Sequence, residues 1–554
     1  MNYNPSPMYI KITKNAKGQA YYHLVESYRH NGKVKQRTLM SLGKVDDNRI
    51  QETIAVLQKF VDQVSAMDIA KDVDVKDAYI LGPVLVLDKV LEQYGIYPIL
   101  QHIAQQHPKL SYNFQKAVFS LILSRFVQPV SKLSLYDHWM DKFYPDKVDT
   151  NLALHHIYRS LDILADEKES IENNLYHYSK DLFTLSVDVV LYDLTTLRFE
   201  STRTDLDTLR RFGYSKEKRN DCTQVVLGLL TDQEGIPLCF EVHPGNTFEG
   251  HTLKGIVNKM REKFQVRRFI FVADRGLFSE ENIEELKKEG GEFIVGLRLG
   301  KKAQNIKDAY DIKQYRWVSE SLAIYETTLK DERVILFWSA ARAERDRKTR
   351  EEILEKIRQK LSGKNVKTKD FITNENYKKY VHIKESKVEL NEELIKEESA
   401  KDGFFGIITN VKDATALEII MHYKQLWHIE DAFGEIKGTL KARPVFHWTD
   451  KRIIGHLVVC FLSYFCEAVI TRELRKKQEK LVTKSIEKKV VKQRSLTVPM
   501  ALKELSSVLA IPVRIGKKRI WVRTDIRENA LKVMKALNMK IPPKILKIEE
   551  EIEK

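Results

Sequence analysis

The sequence predicts an α/β protein: a mixed β-sheet flanked by helices, interrupted by an inserted segment and preceded by a β meander and a helical region. Three observations carry this. Between residues 181 and 299, five short apolar runs suit buried strands: SVDVVLYD, TQVVLGLLTD, PLCFEVHPG, RRFIFVADRG and GEFIVGLRL. Helix-like stretches follow the third and fourth runs, so the order reads β-β-β-α-β-α-β, which is a mixed sheet with helices packed on it. A lysine- and glutamate-rich region then intervenes, before GFFGIITN resumes the core at 403–410.

Taken in order, residues 1–48 alternate strand-like runs with turns. YIKIT, AYYHLVESYR and KVKQRTLMSLG are separated by Asn15-Ala16-Lys17-Gly18 and by Asn31-Gly32. Asn-Gly is a strong hairpin signal, because both of its residues accept positive φ. Residues 49–180 turn helical, with apolar residues three to four apart in LGPVLVLDKVLEQYG and NFQKAVFSLILSRFV, broken near Pro129. The first part of the core spans 181–299, and residues 300–402 form an insertion holding the strand ERVILFWSA and the charged helix ARAERDRKTREEILEKIRQKL. The second part, 403–470, carries a long helix expected from about 414 to 440. Residues 471–554 close the chain as a basic region.

Composition excludes several classes. At 554 residues the chain has room for roughly three to four domains. Hydrophobic content of 43% with 31% charged residues rules out global disorder. Cys222, Cys239, Cys460 and Cys466 form no CxxC pair, which argues against a disulfide framework or zinc ribbon and for a reducing cytoplasm. The N-terminus lacks the apolar run of a signal peptide. The apolar stretch 453–470 carries His456 and Glu467 and reads as a buried core helix, so no membrane partner is expected. A formal charge of +16 favours a polyanion, leaving DNA, RNA and anionic lipid open. Residues 471–554 hold 23 lysines and arginines against 10 acids, so +13 of that charge lies in the tail, which is expected to add a sequence-independent electrostatic term to DNA affinity.

Three acids stand out by position. Asp193 ends the first strand of the sheet and Asp274 the fourth, 81 residues apart. Each alone could equally open a turn or cap a helix. Helical geometry selects the third. At about 100° per residue, Leu426, Ile429, Phe433, Ile436 and Leu440 form an apolar stripe facing the sheet, and Tyr423, Glu430 and Lys437 align along its border. Glu435 falls on the opposite face beside His428 and Asp431, and both Glu435 and His428 are expected to face solvent. Three converging carboxylates repel unless cations sit between them, and their hard oxygens suit Mg²⁺, with Mn²⁺ able to replace it. Two such ions roughly 4 Å apart can activate an attacking oxygen and stabilise a leaving one at a phosphodiester. Arg275 could shape a phosphate-binding turn or only a structural one. Arg443 and Trp448, just after the helix, could line a DNA path with their basic neighbours.

The string Tyr423-x2-Leu426-x3-Glu430-x6-Lys437 resembles the Y-x2-R-x3-E-x6-K signature of bacterial insertion-sequence transposases of the DDE type. With YDLTT around Asp193, ADRG around Asp274 and GIPLCFEVHPGNTFEGHTL at 235–253, the resemblance spans about 187 to 470. It implies a ribonuclease H-like core split by an insertion domain, in which the first and fourth strands are neighbours. It also implies a Mg²⁺-dependent triad of Asp193, Asp274 and Glu430, DNA contacts from Tyr423 and Lys437, and binding to terminal inverted repeats and target DNA by an oligomer that takes no small-molecule substrate. The helical block before residue 180 is by family position a candidate for end recognition, or else a scaffold. The signature's Arg is Leu426 here, so its phosphate contact is absent or made by another residue. A structure-selective nuclease and a catalytically silent DNA-binding protein are the alternatives, and the presence of all three acids speaks against the second.

Overall fold

The computed structural model describes residues 8–30, 33–43, 73–74, 77–183, 189–204, 209–215, 219, 221–248, 252–264, 266, 268–274, 276, 280–297, 299, 306, 309–329, 332–363, 369–372, 374–384, 387–486, 497–515 and 518–550. They fall into two compact units. One comprises Met1–Ala78, Ala510–Thr524 and Pro542–Lys554, the other Tyr79–Leu509 and Asp525–Ile541. In the first, β1 (Met8–Lys14), β2 (Ala20–His30) and β3 (Lys33–Gly43) make the expected antiparallel meander. Its first turn closes because Asn15 Oδ1 accepts from the N–H groups of Lys17 and Gln19, while Gly18 supplies a φ of +75°. The Asn31-Gly32 turn lies outside the described residues.

The second unit is built on a nine-stranded mixed sheet. Its strands are β4 (Val189–Arg198), β5 (Gln224–Asp232), β6 (Pro237–Pro244), β7 (Ile270–Ala273), β8 (Glu292–Leu297), β9 (Arg316–Ser319), β10 (Leu322–Leu329), β11 (Glu332–Ser339) and β12 (Phe404–Thr409). Their order is β9-β10-β11-β12-β8-β7-β4-β5-β6. Only the β4–β7 and β7–β8 pairs are parallel, and parallel neighbours need crossovers. The helices Leu253–Asn258 and Glu280–Lys288 lie in those connections, as the alternation of the sequence implies. Every residue of β5 is buried, which is why its run is apolar without alternation.

The segment read as an insertion shares the main sheet. Its strands β9, β10 and β11 continue the main sheet, because β12 offers pairing on both edges: Ile407 faces Gly296 on one side and Ile335 on the other. The remainder of the segment, with the helix Ala340–Leu361 and the hairpin Val381–Lys384/Lys387–Leu390, packs around Leu354, Ile357, Phe371 and Tyr380.

Helices cover the sheet. They include α1 (Gly82–Gln93), α2 (Ile96–Gln106), α3 (Phe114–Val127), α4 (Leu154–Asp166), α5 (Lys168–Phe183), α6 (Leu253–Asn258), α7 (Glu280–Lys288), α8 (Ala340–Leu361), α9 (Ala416–Lys424), α10 (Trp427–Lys437) and α11 (Asp450–Ile486). Among the described residues α11 is the helix long and apolar enough to cross a membrane, and 94% of its most apolar window is buried in the fold. It packs on α3, α4 and β6. The approach to α4 needs Gly455, where a Cβ would stand 2.0 Å from the Leu161 carbonyl oxygen. A buried ion cluster fastens α5 to the sheet: Glu172 accepts from the Phe240 amide at 3.0 Å and from Lys259 at 2.8 Å, and Lys259 also reaches Glu241 at 2.5 Å. Burial opposes the charge of Lys259, but the two carboxylates outweigh it and hold the ammonium above its usual range.

The described residues of the basic tail are folded. After α11 come α12 (Val498–Leu505), β13 (Leu509–Ile515), β14 (Lys518–Arg523), α13 (Glu528–Ala536) and β15 (Ile545–Glu550). The strands form a sheet in the order β15-β14-β13, with Val73–Asp74 on the far edge. Lys477, one of the tail's lysine pairs, donates to the Lys535 carbonyl at 2.6 Å.

Within α11, Glu467 is buried, and its Oε1 has no hydrogen-bond partner among the described residues. Burial first, then nearby Glu435, pushes its carboxyl well above the usual carboxylate range. The folded chain therefore holds a proton that the unfolded chain releases. The group's contribution to stability is full below the ordinary glutamate pKa and is lost as pH rises toward the folded value. Glu467→Gln should melt above the parent at about pH 8, with the gap closing toward about pH 5; thermal unfolding across that range measures it, and a pH-independent difference would contradict the assignment.

Candidate active site

The two aspartates are placed by strand register. β4 and β7 pair as Val189↔Ile270, Val190↔Phe271 and Leu191↔Val272, an offset of 81 residues that also separates Asp193 from Asp274. The acids therefore come level on neighbouring strands, whose axes lie about 4.8 Å apart. They also share a face. Val190, Tyr192 and Leu194 of β4, with Phe269, Phe271 and Ala273 beside them, enter one buried apolar cluster. Asp193 and Asp274 are out of phase with those sets and leave the sheet on the other side. Asp274 follows the last residue of β7, as expected, but Asp193 does not end its strand. β4 runs on to Arg198 because β5 continues to pair with it, as Asp193↔Leu229 through Arg198↔Gln224, after β7 has left.

The third acid comes from a helix that is broken. Residues 416–437 form α9 and α10 instead of one continuous helix. At the join, three-residue hydrogen bonds replace four-residue ones: Gln425 N–H to His422, Leu426 to Tyr423 and His428 to Gln425. α9 opens on a reciprocal cap between Thr415 and Glu418. Beyond the join, Ile429, Ala432, Phe433 and Ile436 bury one face of α10, while Glu430 is exposed. From α3, Arg125 donates to the carbonyls of Leu440 and Lys441 at 3.3 and 3.2 Å, satisfying acceptors just past the C-terminus of α10.

Asp193, Asp274 and Glu430 line one open cleft of 490 Å³. Tyr423 joins them. Its hydroxyl donates to Asp274 Oδ1 at 3.2 Å, and its ring packs on Phe405 at 5.2 Å. Gly296 makes room for it, since a Cβ there would lie 2.4 Å from the Tyr423 oxygen. Leu426, only half-buried, and exposed Trp427 complete the acid-bearing wall with Lys424. The rest of the lining includes Phe337, Ser339, Arg342, Arg345 and Phe405. Sequence reasoning missed those arginines. In the sequence α8 is only a charged helix of the insertion, and it is the passage of β11 into α8 at Ser339 that brings its start to the cleft.

The donor set fits a hard divalent cation, being three carboxylates on one open cleft, with Glu430 free of any ion-pair partner among the described residues. Among those residues no three acids, histidines or cysteines stand close enough to hold a metal ion as they are.

Other expected residues lie elsewhere. Lys437 is two turns beyond Glu430, half-buried and outside the cleft lining. Arg443 precedes a cis proline, also outside the lining. Trp448 is exposed, with the Arg210 and Arg203 guanidinium groups over its ring at 4.8 and 5.5 Å. The loop holding Arg443 is tied to the end of β4 through the Val445 N–H and the Arg198 carbonyl, 3.0 Å apart. Arg275 lies outside the described residues. Two expectations are corrected. Glu435 is half-buried instead of facing solvent, its Oε2 buried and without a hydrogen-bond partner among the described residues. His428 is half-buried against Trp427, ring centroids 3.7 Å apart, and burial, aided by Arg475, pushes it down to about 4. Both follow from α10 packing on the sheet with one face and on α11 with another.

Two comparisons bear on this arrangement. Residues 186–466 match the family described as transposase DDE domain, and residues 10–69 match the IS1634 family transposase N-terminal domain. No curated protein matches the chain.

The close approach at Gly296 can be tested by stability. Gly296→Ala should lower unfolding stability by about 1–3 kcal/mol through overpacking against Tyr423. Adding Tyr423→Phe removes the oxygen that clashes and should restore part of the loss. Equal melting temperatures for the single and double variants would show that the contact does not limit packing.

Proposed function

We propose, for a chain that belongs to the DDE transposases of insertion sequences, that the cleft of Asp193, Asp274 and Glu430 is where DNA strands are cut and joined. The observation that supports this is the β4–β7 register, which brings two aspartates to one face of the sheet, in a cleft that exposed Glu430 also lines. These three carboxylates would hold Mg²⁺ or Mn²⁺, which when bound activates the attacking oxygen and stabilises the leaving one.

The protein's own groups do the rest. Tyr423 orients the Asp274 carboxylate through its hydroxyl, which engages one of the two carboxylate oxygens. In the first step water attacks phosphorus at the element's end; the P–O3′ bond breaks, and the departing oxygen takes a proton to become a 3′-OH. That hydroxyl then attacks a target phosphodiester and displaces the target's own 3′ oxygen. The chain's excess of basic residues favours the polyanionic partners this sequence needs: terminal inverted repeats and target DNA, held by more than one copy of the chain.

Asp193→Asn, Asp274→Asn and Glu430→Gln should each lose cleavage and joining while retaining binding to inverted-repeat DNA, since each removes one charged ligand and little bulk. Glu435→Gln should keep activity. The assay is incubation of purified protein with Mg²⁺, labelled inverted-repeat DNA and a supercoiled target. Joined products support this reading; cleavage alone identifies a nuclease, and shifted but intact DNA a binding protein. A dead Glu435→Gln beside an active Glu430→Gln would overturn the choice of third acid.

A further inference from the structure

A strand brought against three carboxylates carries phosphates that those acids repel, so the cleft needs a fixed positive charge. The wall bearing the acids offers apolar Leu426 and Trp427 beside them. The helix α8 offers arginines, and most of these are already committed. Arg342 stacks on the Phe405 ring at 4.3 Å and lies 3.5 Å from Asp346. Arg347 pairs with Glu344 and Glu351 at 2.8 and 2.7 Å, and Arg350 with Asp402 at 2.5 Å. Arg345 differs from all three. It is exposed, and among the described residues it has no ion pair or hydrogen bond. It lines the 490 Å³ acid cleft and also the adjoining 890 Å³ cavity beneath α8, so it stands where the two meet.

We propose that Arg345 grips a backbone phosphate of the DNA strand held in the acid cleft. The uncommitted guanidinium can fork two phosphate oxygens, a geometry that an ammonium cannot reproduce. Coming from α8, it supplies the forked phosphate contact that neither Leu426 nor a lysine can make, and it sets how far the strand lies from Asp193, Asp274 and Glu430. Lys424, exposed and likewise unpaired among the described residues, is the competing cation on the acid-bearing side.

The proposal rests on the cleft being the place where DNA is cut, and its test is read by binding, so the two can fail separately. The probe is a labelled duplex carrying the element's terminal inverted repeat, titrated with full-length protein over a range of salt in metal-free buffer. Arg345→Ala should bind about tenfold to a hundredfold more weakly. Its salt slope should be shallower by about 0.9, the value for one lost phosphate contact. Arg345→Lys should regain the slope but only part of the affinity. Duplexes with a single neutral methylphosphonate near the cleavage position locate the contact: one position should weaken the parent as much as Arg345→Ala does and leave that variant unaffected. An unchanged salt slope in Arg345→Ala overturns the proposal, as does a set of methylphosphonates that all weaken the variant as they weaken the parent. The same result follows if the silent position appears in Lys424→Ala instead. Retained cleavage in Asp193→Asn would remove the reading of the cleft itself, whatever Arg345 does.

Discussion

The parallel register of β4 on β7 is the constraint on which the site depends. A slip of one residue would turn Asp193 into the apolar cluster and Tyr192 out of it, because strand side chains alternate in direction. The cluster guards against that slip. Tyr192 and Phe271 are fully buried, and so are Ala273 and Phe293. The packing is tight enough that Gly228 is needed on the neighbouring strand, where a Cβ would stand 2.5 Å from the Tyr192 oxygen. Burial on one face of the sheet thereby fixes the chemistry on the other.

The third acid depends on a different kind of support. Glu430 sits in the first turn of a short helix that follows a tightened join, and a helix of that length has little stability alone. Its position comes from contacts on three sides. The sheet takes Ile429, Phe433 and Ile436, α11 covers the side holding Glu435, and Arg125 satisfies the carbonyls beyond its end. This support has a price in buried polarity, since Glu435 and Glu467 bring two carboxyl groups together in a site with little water.

The route of residues 300–402 shapes the cleft as much as the acids do. By joining β12, β11 delivers the start of α8 to the open side of the site, where a helix of mixed charge becomes a wall lined by arginines. Salt bridges along α8 engage Arg342, Arg347, Lys348 and Arg350, and exposed pairs of this kind are worth little individually. Their effect here is selective: they leave Arg345 available at the point where the cleft and the neighbouring cavity join.

Much of the site was legible because its signals are local. Apolar runs ending in or containing aspartate marked Asp193 and Asp274, and a seven-residue spacing on a helical wheel put Tyr423 and Glu430 together; all four line one cleft. The meander and the strand–helix alternation were legible for the same reason, since period and turn residues report what the chain does within a few residues of itself. A wheel, however, shows only one apolar stripe, so it could not show that α10 has a second covering, and it placed Glu435 and His428 in solvent. Nor could local pattern reveal the break at Gln425, the extension of the sheet by β9 to β11, or the pairing of Val73–Asp74 with β13 near the other end of the chain. The chemistry that the chain carries was determined by the sequence itself. Which cations face those acids was decided only by tertiary structure, because edge pairing and helix packing join residues whose separation along the chain leaves no period to read.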